Sequence, residues 1–337
     1  MAEYSPMMQH YLATKAEYKD CILFYRLGDF YEMFFDDALV VSKELELTLT
    51  GKDCGQEERA PMCGVPFHAA ETYINRLVSN GHKVAICEQM EDPKQAKGIV
   101  KREVIKVVTP GTNLNSQALD ETKNNYLMSI VYLGDVLGVA IADYSTGDFF
   151  VTEIETGAEL IDEINKFVPS EIILNEYFAM SGIDLTFISE KLSISVSTLE
   201  NWYFDDDSCK AKLKEHFHVN MLDGLGIKDY PVGIDAAGAL LIYLTQTQKS
   251  DMSHITSIVP YTTGKYMLID SSSRRNLELV ETMREKQKKG SLLWVLDKTK
   301  TAMGARALRN LVLQPLINRD EIIRRQDAIE ELSDNAI

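Results

Sequence analysis

The sequence predicts a multi-domain, mixed α/β fold, with two α/β domains followed by an all-α segment. The chain has 337 residues, which is enough for two domains and part of a third at about 150 residues each. Hydrophobic residues make up 45% of it, as in ordinary globular proteins. Strand-like and helix-like apolar spacings alternate through the first two thirds of the chain, and only helical spacing follows.

Residues 1–112 are predicted to form a small mixed α/β domain. A Ser-Pro pair starts the first helix, and the Gly28-Asp29 turn separates two apolar runs. Apolar residues at helical spacing predict further helices around 34–45 and over 70–78. The predicted strands cover residues 21–27, 30–35, 45–49, 84–87 and 104–108.

Residues 113–125 are interpreted as a linker, and residues 126–256 as a second α/β domain. Gly-Asp pairs at 134–135 and 147–148 predict two hairpins. The elements predicted here are strands 127–133, 136–143 and 148–154, a helix over 160–168, a strand at 172–174 and a long helix over 232–248. Three antiparallel strands, a helix and another strand are the opening order of an RNase H-like fold.

Residues 262–337 are predicted to be the beginning of a helical domain. Helical apolar spacing covers 292–296, 303–312 and 322–332, and Asn318 is the expected N-cap of the last helix. So few helices bury one another's apolar faces poorly. We therefore expect the chain to be a truncated fragment whose missing part packs against these helices.

Composition excludes several classes of protein. The N-terminus has no secretory signal pattern, and no apolar run approaches the roughly 20 residues that a membrane span needs. Five cysteines without a C-x-x-C pair favour a reduced cytosolic setting. The formal net charge is −16, and the segments 1–112, 113–260 and 261–337 carry −4, −15 and +3. The acidic middle segment is therefore a poor match for a phosphate backbone, whereas the flanks could bind one.

Several catalytic and cofactor patterns are missing, so no catalytic residue and no metal site is predicted. Gly51-Lys52 and Gly264-Lys265 both lack the Ser or Thr that completes a P-loop. His216 and His218 are two residues apart on a predicted helix, so they do not face the same way. The sequence also contains neither G-x-S-x-G nor H-E-x-x-H.

A metal-dependent RNase H-like nuclease is the alternative that the second domain suggests. Asp143 stands at a predicted strand end, where a first metal ligand could lie, with Asp148 and Glu153 nearby in sequence. The favoured interpretation is that Asp143 and Asp148 stabilise the turn between their strands, because no further carboxylate is clearly placed on a neighbouring strand.

Phe30 and Glu32 form the most informative pair in the sequence. They are two residues apart on an extended segment, so they point to the same side. A phenyl ring beside a carboxylate is a poor core pair, because the carboxylate needs a partner. The two side chains are well suited to contact a nucleic acid base.

The sequence around this pair resembles the MutS family of bacterial DNA mismatch-recognition proteins, and the resemblance covers nearly the whole chain. The family patterns F-Y-R-x-G-D-F-Y-E-x-F, P-M-x-G-[IV]-P-x-H-A, V-A-I-C-E-Q and V-x-x-V-x-T-P-G-T match residues 24–34, 61–69, 84–89 and 104–112. Residues 275–278 and 290–304 match the start of the family's core domain. Leu311 stands where a Trp is common, which we interpret as a packing variation.

The resemblance implies a role for each part of the chain. Phe30 would stack on a mispaired or unpaired base from the minor groove, and Glu32 would hydrogen-bond that base. Facing a purine ring nitrogen, Glu32 would have to be protonated, which nearby phosphates would favour. The candidate contacts to the DNA backbone are Lys52, Lys94, Lys97, Lys101 and Arg102.

The resemblance also implies the partners. These are double-stranded DNA with mismatches or small insertion/deletion loops, and MutL, which would dock on the acidic connector domain. A parent protein would dimerise and bind ATP and Mg²⁺ through a C-terminal ATPase domain, whereas this chain would hold no cofactor and no enzyme activity. The implied location is the bacterial cytoplasm, associated with the nucleoid and not with a membrane. A protein-docking or signalling relative without mismatch reading is the remaining alternative.

Overall fold

The computed structural model describes residues 4–91, 100–113, 122–264, 266–267 and 269–334. Two compact units are present, one within residues 1–118 and 241–253, the other within 119–240 and 254–337. Each unit contains a six-stranded mixed sheet, and the second also carries a helical C-terminal part. The predicted fold class is therefore confirmed.

The sheet of the first unit has both parallel and antiparallel neighbours. Its strands are β1 (Cys21–Leu27), β2 (Phe30–Phe34), β3 (Thr50–Lys52), β4 (Ala60–Pro66), β5 (Lys83–Gln89) and β6 (Arg102–Val108). They lie in the order β3-β4-β2-β1-β5-β6. β1 and β5 are parallel, and the other neighbours are antiparallel. β1 and β2 are thus the central strands, and β2 carries the Phe30–Glu32 pair.

Apolar clusters bury both faces of this sheet. The helices are α1 (Pro6–Glu17), α2 (Phe35–Glu44) and α3 (Ala70–Ser79). Leu23 and Tyr25 of β1 belong to the same cluster as Tyr11 of α1. Phe24 lies on the opposite face with residues of α2 and α3. Because β1 is covered on both sides, its run of apolar residues is nearly continuous.

Three details of this sheet differ from the sequence prediction, and the first is that the short strand β3 was not predicted. β4 is absent from the predicted strands, because the two prolines and the glycine in APMCGVP argue against a strand. It forms because Pro61 and Pro66 stand near its two ends. The strand predicted at 45–49 is wrong. Leu45 is the C-cap of α2, and Glu46 takes a left-handed φ of 56° that ends the helix without starting a strand.

The second unit has the strand order expected for an RNase H-like sheet. Its strands are β7 (Tyr126–Leu133), β8 (Val136–Asp143), β9 (Asp148–Ile154), β10 (Glu171–Asn175), β11 (Ser195–Leu199) and β12 (Val259–Pro260), in the order β11-β10-β7-β8-β9-β12. β7, β8 and β9 are antiparallel, and β10 is parallel to β7 and β11. The further helices are α4 (Gly157–Phe167), α5 (Thr186–Leu192), α6 (Asp206–Phe217) and α7 (Pro231–Gln248). Of these elements, β11, β12 and α5 were not predicted.

The N-terminus of α7 lies directly on this sheet. Glu153 Oε1 accepts hydrogen bonds from the backbone N–H groups of Val232 and Gly233, at 2.6 and 2.9 Å. These are among the N–H groups that a helix cannot satisfy internally. Gly138 of β8 allows the close approach, since a Cβ atom there would lie 2.2 Å from the Val232 carbonyl oxygen.

Asp235 of α7 is a buried carboxyl group in an unfavourable environment. Its side chain is 5% exposed, and its Oδ1 accepts no hydrogen bond from any described residue. Burial is the main cause that raises the pKa of Asp235 from 3.8 to about 7, and the nearby Asp206 carboxylate adds to it. Asp205 acts in the same direction, while Lys210 lowers the pKa.

We expect Asp235→Asn to increase stability at alkaline pH. Because the pKa is higher in the folded state, Asp235 favours folding fully below about pH 4 and loses that contribution as the pH rises through about 7. The free energy of unfolding of the variant should therefore be higher than that of the wild type by up to about 4 kcal/mol at pH 8, and equal to it near pH 4. Urea unfolding at both pH values measures this, with the exposed Asp229→Asn as control. An equal gain at both pH values would contradict the titration.

The C-terminal part is helical, as predicted. Its helices are α8 (Ser271–Asn276), α9 (Leu292–Leu296), α10 (Ala302–Leu313) and α11 (Arg319–Asp334). Asn318 Oδ1 accepts from the N–H groups of Asp320 and Glu321 at 2.9 and 3.1 Å, which confirms it as the N-cap of α11. Large apolar side chains remain 48–75% exposed, among them Trp294, Met303 and Leu332. None of the helices in the described part of the chain has the length and apolar character to cross a bilayer.

All five cysteines are buried and unpaired. Burial is the main cause that raises the pKa of both Cys21 and Cys87 to about 12. Burial also raises the pKa of Cys63 to about 11, and it raises the pKa of Cys209. These four thiols therefore stay protonated at neutral pH, and a protonated thiol is a poor nucleophile and metal ligand.

Candidate nucleic-acid interface

A tight hairpin determines where Phe30 lies. Leu27 of β1 pairs with Phe30 of β2, so Gly28 and Asp29 form a two-residue turn. Gly28 has a φ of 59°, and a glycine with positive φ at the first turn position is typical of a type II′ hairpin. The short turn makes Phe30 the first residue of β2, at the end of the sheet.

The alternation along β2 brings Phe30 and Glu32 to one face, as the sequence predicted. Phe30 is 47% exposed, whereas Tyr31 points to the other face and is 8% exposed. The next residue on the Phe30 face, Phe34, is buried edge-to-face against the ring of Tyr11, with the ring centroids 4.9 Å apart. The row of side chains therefore passes from core at Phe34 to solvent at Phe30, and Glu32 lies between them.

Glu32 forms an ion pair with Lys52. Lys52 Nζ lies 2.5 Å from Glu32 Oε2, and the two side chains are 31% and 15% exposed. Lys52 is the last residue of β3, and Gly64 of β4 pairs with Glu32. A Cβ atom at Gly64 would lie 3.5 Å from Glu32 Cγ. The absence of a side chain there leaves the surface beside the carboxylate open.

The reverse side of the hairpin is fixed by polar contacts that sequence reasoning missed. The Arg26 guanidinium lies 3.8 Å from the centroid of the Phe67 ring, and its Nε donates to the Gly28 carbonyl at 2.5 Å. The Tyr31 hydroxyl donates to Glu88 at 2.6 Å. Burial and this bond raise the pKa of Tyr31 to about 12. Arg26 and Tyr31 lie within the matched motif, but only the fold brings Phe67 and Glu88 to them.

The basic residues proposed to contact a DNA backbone are not equivalent. The Lys101 side chain is 67% exposed and pairs with Glu103 at 2.7 Å, which raises the pKa of Lys101. Arg102 is only 8% exposed, and its guanidinium donates to the carbonyl groups of Arg26 and Val100, each at 2.8 Å. This arrangement favours a structural role for Arg102. The predicted contacts Lys94 and Lys97 lie outside the described residues.

The carboxylates of the nuclease alternative accept hydrogen bonds from neighbouring groups of the chain, and the Asn124 amide donates to both Asp143 and Asp148. Asp143 is fully buried and accepts from the Ser145 N–H at 2.8 Å, inside the turn between β8 and β9. Asp148 accepts from the Thr146 hydroxyl in the same turn at 2.8 Å. Glu153 binds the N-terminus of α7 instead. These contacts agree with the favoured interpretation of both aspartates as turn residues.

His216 and His218 also differ in their surroundings. His216 Nε2 lies 2.8 Å from the Ile255 carbonyl oxygen, and His218 takes the left-handed C-cap position of α6 with a φ of 53°. Across the described part of the chain, no group of three or more His, Cys, Asp or Glu side chains is arranged to hold a metal ion.

Comparison with protein families matches each part of the chain in turn. The model for MutS domain I matches residues 5–117, that for MutS domain II residues 125–256, and that for MutS domain III residues 272–337. The hairpin with Phe30 and Glu32 lies within the first match, and strands β7 to β11 of the RNase H-like sheet lie within the second.

Similar proteins agree with these matches. The chain is 65% identical to the DNA mismatch repair protein MutS of Lachnoclostridium phytofermentans over 337 residues, which is 100% of this chain and 36% of the relative. Identity to the protein of the same name from Ruminiclostridium cellulolyticum is 56%, over 98% of this chain and 38% of the relative. The chain thus spans little more than a third of the length of these relatives. It belongs to the MutS family, and it corresponds to domains I and II and part of domain III.

Proposed function

We propose that this chain reads mismatched base pairs in DNA mismatch repair, with Phe30 as the residue that enters the duplex. The supporting observation is a half-exposed phenyl ring at the tip of a tight hairpin, with a carboxylate beside it on the same face. An exposed phenyl at the end of a two-residue turn is held firmly by the backbone. It can therefore act as a wedge and does not have to reorganise on binding.

Two contributions explain how Phe30 recognises a mismatch: stacking on a base, and the free energy needed to bend the duplex. Phe30 enters the minor groove and stacks on the mispaired base while the duplex kinks away. Stacking tolerates every base, because each has a π face. Selectivity comes from deformation, since a mispaired step is easier to unstack and bend than a paired one. One phenyl ring can therefore recognise many different mismatches.

Binding of a G·T duplex and of its matched control, at low and equal salt, tests this function. The complete protein encoded by the gene should be used in this binding experiment. We expect tighter binding of the G·T duplex and of a duplex with a one-base loop. Equal binding of all three duplexes would overturn the proposal and would favour a protein-docking role for the acidic second domain. Metal-dependent cleavage of plain DNA would instead indicate the nuclease alternative.

Glu32 is proposed to hydrogen-bond the base on which Phe30 stacks. An ionised carboxylate accepts from a thymine N–H, whereas a purine ring nitrogen needs a protonated acid as donor. A glutamine amide supplies both kinds of group. We therefore expect Glu32→Gln to retain mismatch binding within about tenfold of the wild type.

The measurement is a set of dissociation constants for several mismatches, with the exposed Glu46→Gln as control. If Glu32→Gln binds every mismatch far more weakly than the wild type does, a neutral donor is insufficient, and the protonation hypothesis is wrong.

The other proposals rest on family membership and on charge. Lys52 and Lys101 are proposed to contact the DNA backbone, since both ammonium groups are accessible at the surface. The second domain, which carries most of the negative charge, is proposed to dock a MutL partner. For the complete protein we propose binding of ATP and Mg²⁺ in a separate domain, dimerisation and a cytoplasmic location.

A further inference from the structure

We propose that Lys52 is a specificity-determining residue: as the counter-ion of Glu32, it limits how strongly the site rejects matched DNA. This inference rests on the proposed function, because it concerns the charge that Glu32 brings to the minor groove. It goes beyond a phosphate contact, since it assigns Lys52 an effect on the ratio between mismatched and matched binding.

The Lys52 ammonium group contacts the Glu32 carboxylate and lies near the aromatic ring of Phe34. Lys52 Nζ lies 2.5 Å from Glu32 Oε2, and its ammonium is also 5.8 Å from the centroid of the buried Phe34 ring. The lysine thus approaches the carboxylate from the core side of the Phe30 face. Glu32 is 15% exposed and Lys52 31%. The pair is partly shielded from water, so its charges affect each other more than those of a fully exposed pair.

The strand register shows how the lysine side chain reaches Glu32 from a strand that is not its neighbour. Lys52 ends β3 and pairs with Ala60 of β4, whereas Glu32 of β2 pairs with Gly64 of β4. A Cβ atom at Gly64 would lie 3.2 Å from the Tyr31 carbonyl oxygen, which is tighter than ordinary contact. With this register, the lysine side chain therefore runs back along the sheet, past the Phe34 ring, to reach the glutamate.

The two kinds of duplex then make different demands on Glu32. In a G·T complex, a thymine N–H can donate to the carboxylate, so the base itself offsets part of the negative charge. In a matched duplex the base N–H groups are already paired, and the carboxylate meets the acceptors and phosphates of the groove. In the matched complex, Lys52 is therefore the only one of these groups that offsets the negative charge of Glu32. Removing Lys52 should therefore weaken matched binding more than G·T binding.

The test measures the ratio of dissociation constants, matched over G·T, for the complete protein and its Lys52→Met variant. We expect both duplexes to bind more weakly and the ratio to rise about two- to fivefold, the range for a partly exposed ion pair. Lys52→Arg keeps the charge and should restore the wild-type ratio. Lys43→Met removes an exposed lysine elsewhere in the same unit and should leave the ratio unchanged.

A second set of measurements separates this role from a phosphate contact. Lys52→Met in the Glu32→Gln background should leave the ratio unchanged, because no carboxylate charge remains to be offset. If Lys52 contacts only a phosphate, Lys52→Met weakens both duplexes equally and lowers the salt slope by about one. An unchanged or lower ratio, or a rise that persists with Glu32→Gln, overturns the proposal.

The same measurements distinguish a failure of the proposed function from a failure of the role proposed for Lys52. If the wild type does not prefer G·T, or if Phe30→Ala leaves that preference intact, the mismatch-reading assignment is wrong, and the role of Lys52 fails with it. If that preference exists and depends on Phe30 but Lys52→Met does not raise the ratio, only the role of Lys52 is wrong.

Discussion

Phe30→Ala should abolish the preference for a mismatched duplex while leaving the binding of matched DNA nearly unchanged. The phenyl ring contacts a base only when the step opens, so its loss removes stacking from the mismatched complex alone. Stacking of a base on an aromatic ring contributes about 1–3 kcal/mol, which corresponds to roughly 5- to 150-fold in the dissociation constant for G·T. Fluorescence anisotropy with labelled G·T and matched duplexes measures both constants in one titration series.

Phe187→Ala is the matched control for this experiment. Phe187 is 76% exposed on α5 in the other unit, so the same apolar atoms are removed from a surface far from the hairpin in sequence. We expect this variant to discriminate as the wild type does. A Phe30→Ala protein that keeps its full preference for G·T would show that another residue enters the duplex.

Gly138→Ala should cause the largest loss of stability. The added Cβ atom would lie 2.2 Å from the Val232 carbonyl oxygen and 2.7 Å from the Gly233 nitrogen, far inside contact distance. Both neighbours are backbone atoms of α7, so no side chain can turn away to make room. Overpacking typically costs 1–3 kcal/mol, and a backbone clash should reach or exceed about 3 kcal/mol. Thermal and urea unfolding of the wild type and the variant measure the loss.

Gly224→Ala controls for the loss of a glycine. A Cβ atom at Gly224 meets nothing within 4 Å, and this glycine is not among those with a positive φ. We expect this change to be neutral or to stabilise by a few tenths of a kcal/mol, because alanine restricts the unfolded chain. If Gly138→Ala is as stable as Gly224→Ala, α7 does not approach the sheet as closely as described.

The elements that the sequence predicted well are those with strong local signals. β8 and β9 begin and end as predicted, because Gly-Asp turns mark where one apolar run ends and the next begins. β4 could not be predicted in this way, since its prolines and glycine are local signals against a strand. Its place beside β2 is decided by pairing across the chain, from Phe30 with Pro66 to Phe34 with Met62.

In the candidate site, too, local features could be predicted from the sequence and contacts between distant residues could not. That Phe30 and Glu32 share a face follows from the two-residue period of a strand, so the sequence alone predicted it. The ion pair of Glu32 with Lys52 joins residues twenty positions apart on strands that are not neighbours. No local pattern could reveal it. The burial of Arg102 likewise depends on carbonyl groups that the fold brings to its guanidinium.

The buried thiols give this chain a practical advantage for spectroscopy. All five cysteines lie inside the two units, with side chains that alkylating dyes reach poorly. A single cysteine introduced at Asp29, in the exposed hairpin turn, should therefore take up a maleimide fluorophore selectively without removal of the native cysteines. Such a label would report in real time, through its own emission, when the hairpin meets DNA.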